Sequence, residues 1–290
     1  MTVNPASHSF ESALKYGTSK LLEAGVDTPS LDAAVLLEYV SGYSKVELII
    51  HSKSNMSAAL FQLYDDVLSR REKKEPVAYI TGEKEFWSLT LKTHPNVLIP
   101  RPDTETLVAA VVGLIADKNA EFEFVDVGCG TGAISLSILK EFPNAKCTAV
   151  DINPDARALT LENAKSLGFE NRLTISGKPW LDGIEETVDM ILSNPPYITV
   201  QEMAELMPDV KDYEPHLALE AGEDGLDAYR ALVPQLESKL KAGGVVLFEI
   251  GMKQAEDVVC LLNKNGMTDV QVIRDLAGKD RVVGAVNPKK

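Results

Sequence analysis

The chain has 290 residues, 45% hydrophobic and 25% charged, which is enough length and apolar content for two domains and a sizeable buried core. Its formal net charge of -14 argues against a broad phosphate-tracking surface, since nucleic-acid affinity rests on clustered Lys and Arg. Met1-Thr2-Val3-Asn4-Pro5 has neither the basic nor the apolar region of a secretory signal, and the longest apolar run, Val108 to Ala116, falls far short of the ~20 residues that cross a bilayer.

The first 75 residues read as a helical bundle. Phe10, Ala13, Leu14, Leu21 and Leu22 share one helical face, with Gly25 as the stop. Thr28-Pro29 suits an N-cap followed by a first-turn proline, ahead of Leu31, Ala34, Val35 and Leu37. Ser44-Lys45-Val46-Glu47 fits a capping box before Leu48-Ile49-Ile50. A further helix from about Ser57 to Lys74 brings Leu60, Phe61, Tyr64, Val67 and Leu68 together, and Pro76 ends it. Nothing here looks catalytic; a lone His51 near a helix end reads as a surface or capping residue, and the module as a docking or packing domain.

From Tyr79 the pattern turns to alternation. Phe86, Leu89 and Leu91 alternate with polar residues about Ser88, which predicts a β-hairpin linker over residues 76–95. The X-Pro-rich run Val97 to Glu105 then leads into a helix with Val108, Val111, Val112 and Ile115 inward. Residues 96–290 alternate strand and helix: strands at Phe122 to Val127, Cys147 to Val150, Leu173 to Ile175, Val188 to Leu192, Val245 to Ile250, Val270 to Ile273 and Arg281 to Val286. The helices between them lie at Thr131 to Glu141, Pro154 to Leu167, Leu226 to Leu240 and Lys253 to Asn265. Right-handed β-α-β units follow, and with them an α/β fold: a mainly parallel, doubly wound, Rossmann-like sheet with a small N-terminal helical bundle.

Chemistry is concentrated at two strand ends. Val125-Asp126-Val127-Gly128-Cys129-Gly130-Thr131-Gly132-Ala133 lets the backbone turn tightly beside the positive end of a helix. Asp151 ends the next strand, where a carboxylate can accept from both hydroxyls of a ribose. Together they predict a nucleoside-containing cofactor, but Gly128, Gly130 and Ala133 also satisfy a dinucleotide pattern and leave its kind open. Ser193-Asn194-Pro195-Pro196-Tyr197 follows a buried strand that is expected to lie beside the first. Neither proline has an N–H and each restricts its predecessor, so the chain leaves the strand abruptly and holds a carboxamide and carbonyls in one place. Hydride transfer has no use for such a group. Methyl transfer to a planar amide or amine does: the Asn194 side-chain oxygen and the Pro195 carbonyl can each accept an N–H of the target, and Tyr197 can cover its flat face.

These motifs, with Gly82-Glu83-Lys84-Glu85-Phe86-Trp87, Leu98-Ile99-Pro100-Arg101-Pro102-Asp103-Thr104-Glu105, Glu214-Pro215-His216-Leu217-Ala218-Leu219 and Glu249-Ile250-Gly251, occur in an order that resembles the bacterial release-factor glutamine methyltransferases, PrmC or HemK. The resemblance spans nearly the whole chain and implies methyl transfer from S-adenosylmethionine to the side-chain amide of the glutamine in the Gly-Gly-Gln loop of peptide chain release factors. By position it places Gly128, Cys129, Gly130, Thr131 and Gly132 along the cofactor, Asp151 on its ribose, and Asn194, Pro195, Pro196 and Tyr197 around the glutamine. Trp180, which on its own reads equally as a core aromatic or a ligand wall, matches a cofactor contact of the family. Phe86 resembles an aromatic that helps close the pocket, with a packing role equally open. Asp103 stands where the family commonly has Glu.

The rival enzyme is a nucleic-acid amino-methyltransferase acting on a flipped base. Against it, Glu202, Glu205, Asp209, Asp212, Glu214, Glu220, Glu223, Asp224 and Asp227 follow the Asn-Pro-Pro-Tyr motif with Lys211 as the one intervening lysine, a sign of charge that repels phosphate and suits a protein partner. The commoner role of such a run is a solvated loop. A catalytically silent cofactor-binding module and a dehydrogenase are the remaining alternatives. Cys129, Cys147 and Cys260, scattered and odd in number, fit reduced thiols in a cytoplasmic, metal-free monomer.

Overall fold

A computed structural model describes residues 8–288; the stretch Met1 to Pro5, read above as carrying no signal, lies outside the described residues. The chain forms two compact units, one running to Gly82 and taking in Pro208–Tyr213, the other comprising Glu83–Met207 and the chain from Glu214 onward.

The first unit contains α1 (Phe10–Glu23), α2 (Pro29–Ser41), α3 (Lys45–Ile50), α4 (Ala58–Glu72) and α5 (Val77–Thr81). Ser9, Ser44 and Ser57 cap α1, α3 and α4 through their hydroxyls, and Ser44 with Glu47 closes the capping box that their spacing predicts. Phe10, Ala13, Leu21, Leu36, Leu37, Tyr64 and Leu68 form the core. Leu22 and Leu31 do not join it: they are 64% and 60% exposed. The face of α2 is rotated because Asp32, not an apolar residue, is buried on it, paired with Arg71 of α4 at 2.7 Å. A buried acid hides a helix face from any reading that looks for apolar spacing. Pro76 serves as the N-cap residue of α5, so a helical turn occupies Tyr79 to Thr81, where alternation predicts ribbon.

The second unit opens with the hairpin β1 (Glu83–Phe86) and β2 (Leu89–Lys92), joined through Trp87 and Ser88, both at positive φ as a tight two-residue turn requires. A 3-10 turn (Pro102–Thr104) leads into α6 (Glu105–Leu114). There follow β3 (Glu123–Val127), α7 (Ala133–Glu141), β4 (Lys146–Val150), α8 (Pro154–Leu167), β5 (Leu173–Ser176), β6 (Val188–Ser193), α9 (Val200–Glu205), α10 (Pro208–Lys211, within the first unit), α11 (Asp227–Leu232), α12 (Leu236–Lys239), β7 (Leu240–Glu249), α13 (Ala255–Lys264), β8 (Thr268–Arg274) and β9 (Asp280–Val286). The expected helix from Leu226 to Leu240 is broken, because Pro234 lies in a 3-10 turn between α11 and α12. The acidic segment expected as loop contains α9, started by a Thr199–Glu202 capping box, and α10.

The strands order as β5-β4-β3-β6-β7-β9-β8, parallel through β7 and antiparallel thereafter. Alternate residues feed opposite cores, as the period of a strand demands. Phe124, Met190, Leu192 and Leu247 meet α6 and α7 on one face; Val125, Ile191, Val246 and Phe248 meet α11, α12 and α13 on the other. The direction of winding reverses between β3 and β6, so the crevice beyond their carboxyl ends is where such a sheet binds ligands.

Candidate active site

β3 and β6 pair in register from Phe124 with Met190 to Val127 with Ser193, so the glycine loop and Asn194 leave adjacent strands together. Gly128, Gly130 and Gly132 have φ of +77°, +56° and +82°, a run of left-handed backbone that L side chains adopt only under strain. Gly128 and Cys129 both donate their N–H to the Val150 carbonyl, and Gly130 donates to Asp151 Oδ2 at 3.0 Å. Asp151 Oδ1 accepts from the Asn153 N–H at 2.9 Å. Each Asp151 oxygen thus keeps a further lone pair for an outside donor. Burial raises the Asp151 pKa, opposed by these backbone bonds, so additional hydroxyl donors would stabilise its charged form.

A cavity of about 480 Å³ opens here, within the range of small-molecule sites. Of the residues expected at the site, Gly128, Gly130, Thr131, Asp151, Trp180, Asn194 and Pro196 are on its wall. Trp180, with φ of +50°, both lines the cavity and packs against the core on the α11–α13 face. Ile152, 52% exposed, adds an apolar surface next to Asp151.

Other expected residues lie off the wall. Cys129 is buried with its sulfur 3.3 Å from the Thr160 hydroxyl, and Gly132 caps α7. Pro195 is buried, and Phe86, 2% exposed, packs with Leu89, Leu91 and α6–α7 residues in the core, so it is a packing residue. Tyr197 is half-buried against the α11–α13 face, and its hydroxyl is pushed up to about 12, by burial first and the nearby Glu249 second. Its carbonyl accepts from Gln254 Nε2 at 3.0 Å.

Several supporting residues escape sequence reading. Thr104, 4% exposed, accepts a hydrogen bond from Asn194 Nδ2 at 3.1 Å, leaving Oδ1 as the acceptor that the carboxamide can offer. Gln254 fixes the following turn: Nε2 also bonds the Gly225 carbonyl at 3.0 Å, and Oε1 accepts from the Gly251 N–H at 2.9 Å. At Gly225 a Cβ would fall 2.4 Å from the Tyr197 carbonyl oxygen, so only glycine fits. Glu214, 4% exposed, accepts from Arg101 at 2.5 Å and from the Ile99 N–H at 3.2 Å, binding the arginine-proline loop to the Glu-Pro segment. Glu214 is therefore a buried strut and contributes no open surface charge, while Asp209 lies 3.7 Å from Arg71 and Asp224 is paired with Arg230.

A parallel-rich sheet with a glycine loop, a ribose-suited carboxylate and a carboxamide on one cavity defines a Rossmann-like, S-adenosylmethionine-dependent methyltransferase. In keeping with that class, residues 101–209 match the methyltransferase small domain, and the fold resembles a solved methyltransferase from Pyrococcus furiosus with TM-score 0.52, 19% identity and coverage of 69% of this chain and 89% of that one. Residues 12–82 match the PrmC N-terminal domain. The chain is 39% identical over 271 residues to the release factor glutamine methyltransferase of Caulobacter vibrioides, covering 93% of each, and 40% identical over 281 residues to that of Vibrio cholerae, covering 95% and 96%. It belongs to the release factor glutamine methyltransferase family.

Proposed function

We propose that this chain transfers a methyl group from S-adenosylmethionine to the side-chain amide nitrogen of the Gly-Gly-Gln glutamine of peptide chain release factors. The observation that carries the assignment of roles is Asn194: its Nδ2 is occupied by Thr104, so its oxygen is held as an acceptor on the same cavity wall as Gly128, Gly130 and Asp151. S-adenosylmethionine supplies an electrophilic methyl on a sulfonium. The spare lone pairs of Asp151 suit its ribose hydroxyls, the glycine loop gives close backbone approach, and Ile152 with Trp180 gives apolar faces for its base.

An amide nitrogen is a weak nucleophile because its lone pair is shared with the carbonyl, so alignment and electrostatics carry the rate more than a strong base does. Asn194 Oδ1 accepts one N–H of the glutamine and the Pro195 carbonyl accepts the other. This fixes the amide plane and stabilises positive charge as it develops on nitrogen; as the N–CH3 bond forms, the methyl–sulfonium bond would break to leave S-adenosylhomocysteine and the surplus N–H proton would pass late to solvent. Holding the nitrogen in line can contribute several of the ~7–11 kcal/mol available from proximity and orientation. We assign the helical unit, residues 1–75 in the sequence reading, to docking of the protein substrate, with the enzyme acting as a cytoplasmic monomer on protein rather than nucleic acid. In support, no helix among the described residues is long and apolar enough to cross a membrane, and the net charge is -14.

The test is to incubate the protein with S-adenosylmethionine, a release factor and a nucleic-acid control, and to map methyl groups by mass spectrometry. One methyl on the Gly-Gly-Gln glutamine is the expected result; methylated nucleic acid with an unmodified release factor overturns the reading.

A further inference from the structure

Behind the Asn194 turn lies an acid that the proposed chemistry does not use. Glu249 ends β7, whose Phe248 pairs with Ser193 of β6, so Glu249 comes alongside Asn194. It is 1% exposed, and neither carboxyl oxygen has a hydrogen-bond partner among the described residues. A buried carboxyl without partners costs free energy and calls for an explanation in the site it borders.

Its surroundings come from several elements. Thr104 and Asp103 approach from the 3-10 turn before α6, Tyr197 from the loop after β6, and Arg281 from β9. Tyr229 of α11 gives its hydroxyl to the Glu249 backbone carbonyl at 2.7 Å and so leaves the carboxyl alone. Arg281 commits its Nη2 to Asp103 at 3.0 Å and Asp275 at 3.2 Å, while its buried Nε has no hydrogen-bond partner among the described residues and its charge favours an ionised Glu249. The Thr104 and Tyr197 hydroxyls are close enough to lower the Glu249 pKa, yet neither has the alignment of a formed hydrogen bond in this structure.

Thr104 is the joint. Its oxygen accepts from Asn194 Nδ2, so its own hydrogen is available to give, and Glu249 is the nearby carboxyl that can take it. We propose that Glu249 is a positioning residue that sets the plane of the Asn194 carboxamide through Thr104. As a carboxylate, Glu249 accepts the Thr104 hydrogen and turns the Thr104 lone pairs toward Asn194 Nδ2. As a neutral acid it loses the charge that makes this bond strong and offers the Thr104 hydrogen only a weaker acceptor, so Thr104 is held less firmly toward Asn194. The active arrangement is therefore held best with Glu249 ionised. Burial pushes its pKa up to about 7, so that switch falls in the working pH range.

The inference rests on the methyl-transfer reading, and the experiment separates the two. The rate at saturating S-adenosylmethionine and saturating release factor is measured from pH 6 to 8, with cofactor affinity measured in parallel. For the unaltered protein the rate is expected to rise roughly tenfold, following one ionisation centred near 7. Glu249→Gln keeps the shape but cannot ionise; it should bind cofactor normally and show no such rise, staying near the low-pH rate throughout. Thr104→Val should behave likewise, and Thr104→Ser should restore the rise. If the unaltered protein methylates no release factor, the functional reading fails. If it does, and Glu249→Gln keeps the same inflection, Glu249 does not position Asn194 and the inference is overturned.

Discussion

The two sides of the cavity are built differently. On the cofactor side, the glycine loop and Asp151 come from consecutive strand ends, and their bonds are local: Gly130 reaches Asp151 and Asp151 reaches Asn153. On the acceptor side, Asn194 depends on Thr104, 90 positions away in sequence, and the neighbouring loops depend on the Arg101–Glu214 pair, 113 positions apart. A site for a cofactor that is always the same can be made from a short motif, whereas a site that aligns a protein's amide is held from across the fold. Local damage should therefore weaken cofactor binding on one side, and distant damage should slow the reaction on the other.

The largest expected effect is that of Asn194→Ala. Losing an acceptor aimed at developing charge should lower kcat by about 10²–10³-fold with cofactor affinity nearly unchanged, as read by rates at saturating cofactor and by calorimetry. Near-normal kcat would remove Asn194 from the role given it. Asp151→Asn is the mirror case. A hydrogen bond to a charged group is worth about 1.5–3 kcal/mol, so affinity for S-adenosylhomocysteine should fall about 10–100-fold while kcat at saturation is largely kept.

Two stability experiments probe the distant supports. Glu249 has its folded pKa raised to about 7 from 4.5, so its contribution is fully present below about 4.5 and is lost as pH rises through 7. Glu249→Gln should thus gain on the order of 3 kcal/mol relative to the unaltered protein between pH 4.5 and 8, seen as a rising difference in denaturation midpoint. A pH-independent difference would mean that Glu249 is not held neutral by its surroundings. Arg101→Met removes the ion-pair partner of buried Glu214, but Arg101 is 34% exposed and its loss is partly made good by solvent. A loss of about 1–2 kcal/mol is expected, together with a lower kcat; unchanged values would make the strut dispensable.

The same division separates what is legible in the amino-acid sequence from what is not. Alternation of strand and helix, the glycine loop, Asp151 and the Ser44 capping box are legible because each is written within a short stretch. The proline-rich exit after Ser193 is legible as a device that presents acceptors, but not its support, because Thr104, Gln254 and Glu249 become neighbours of that turn only through the sheet. Glu214 counts as one more negative charge in a run until its pairing with Arg101 is seen. Phe86 matches a site aromatic by position and is a core residue by burial, which no spacing reveals. Asp32 rotates the buried face of α2 away from the expected Leu31, with Leu37 still in the core, because its partner Arg71 lies on another helix.

The central claim is that a glutamine amide is held by Asn194, with Asn194 itself held by Thr104. It is tested most directly by a crystal structure of the protein with S-adenosylhomocysteine and a Gly-Gly-Gln peptide. The account predicts the glutamine amide nitrogen within hydrogen-bond distance of both Asn194 Oδ1 and the Pro195 carbonyl, with Asn194 Nδ2 still on Thr104. A glutamine bound with its amide nitrogen away from Asn194, or bound through an Asn194 turned off Thr104, would contradict it.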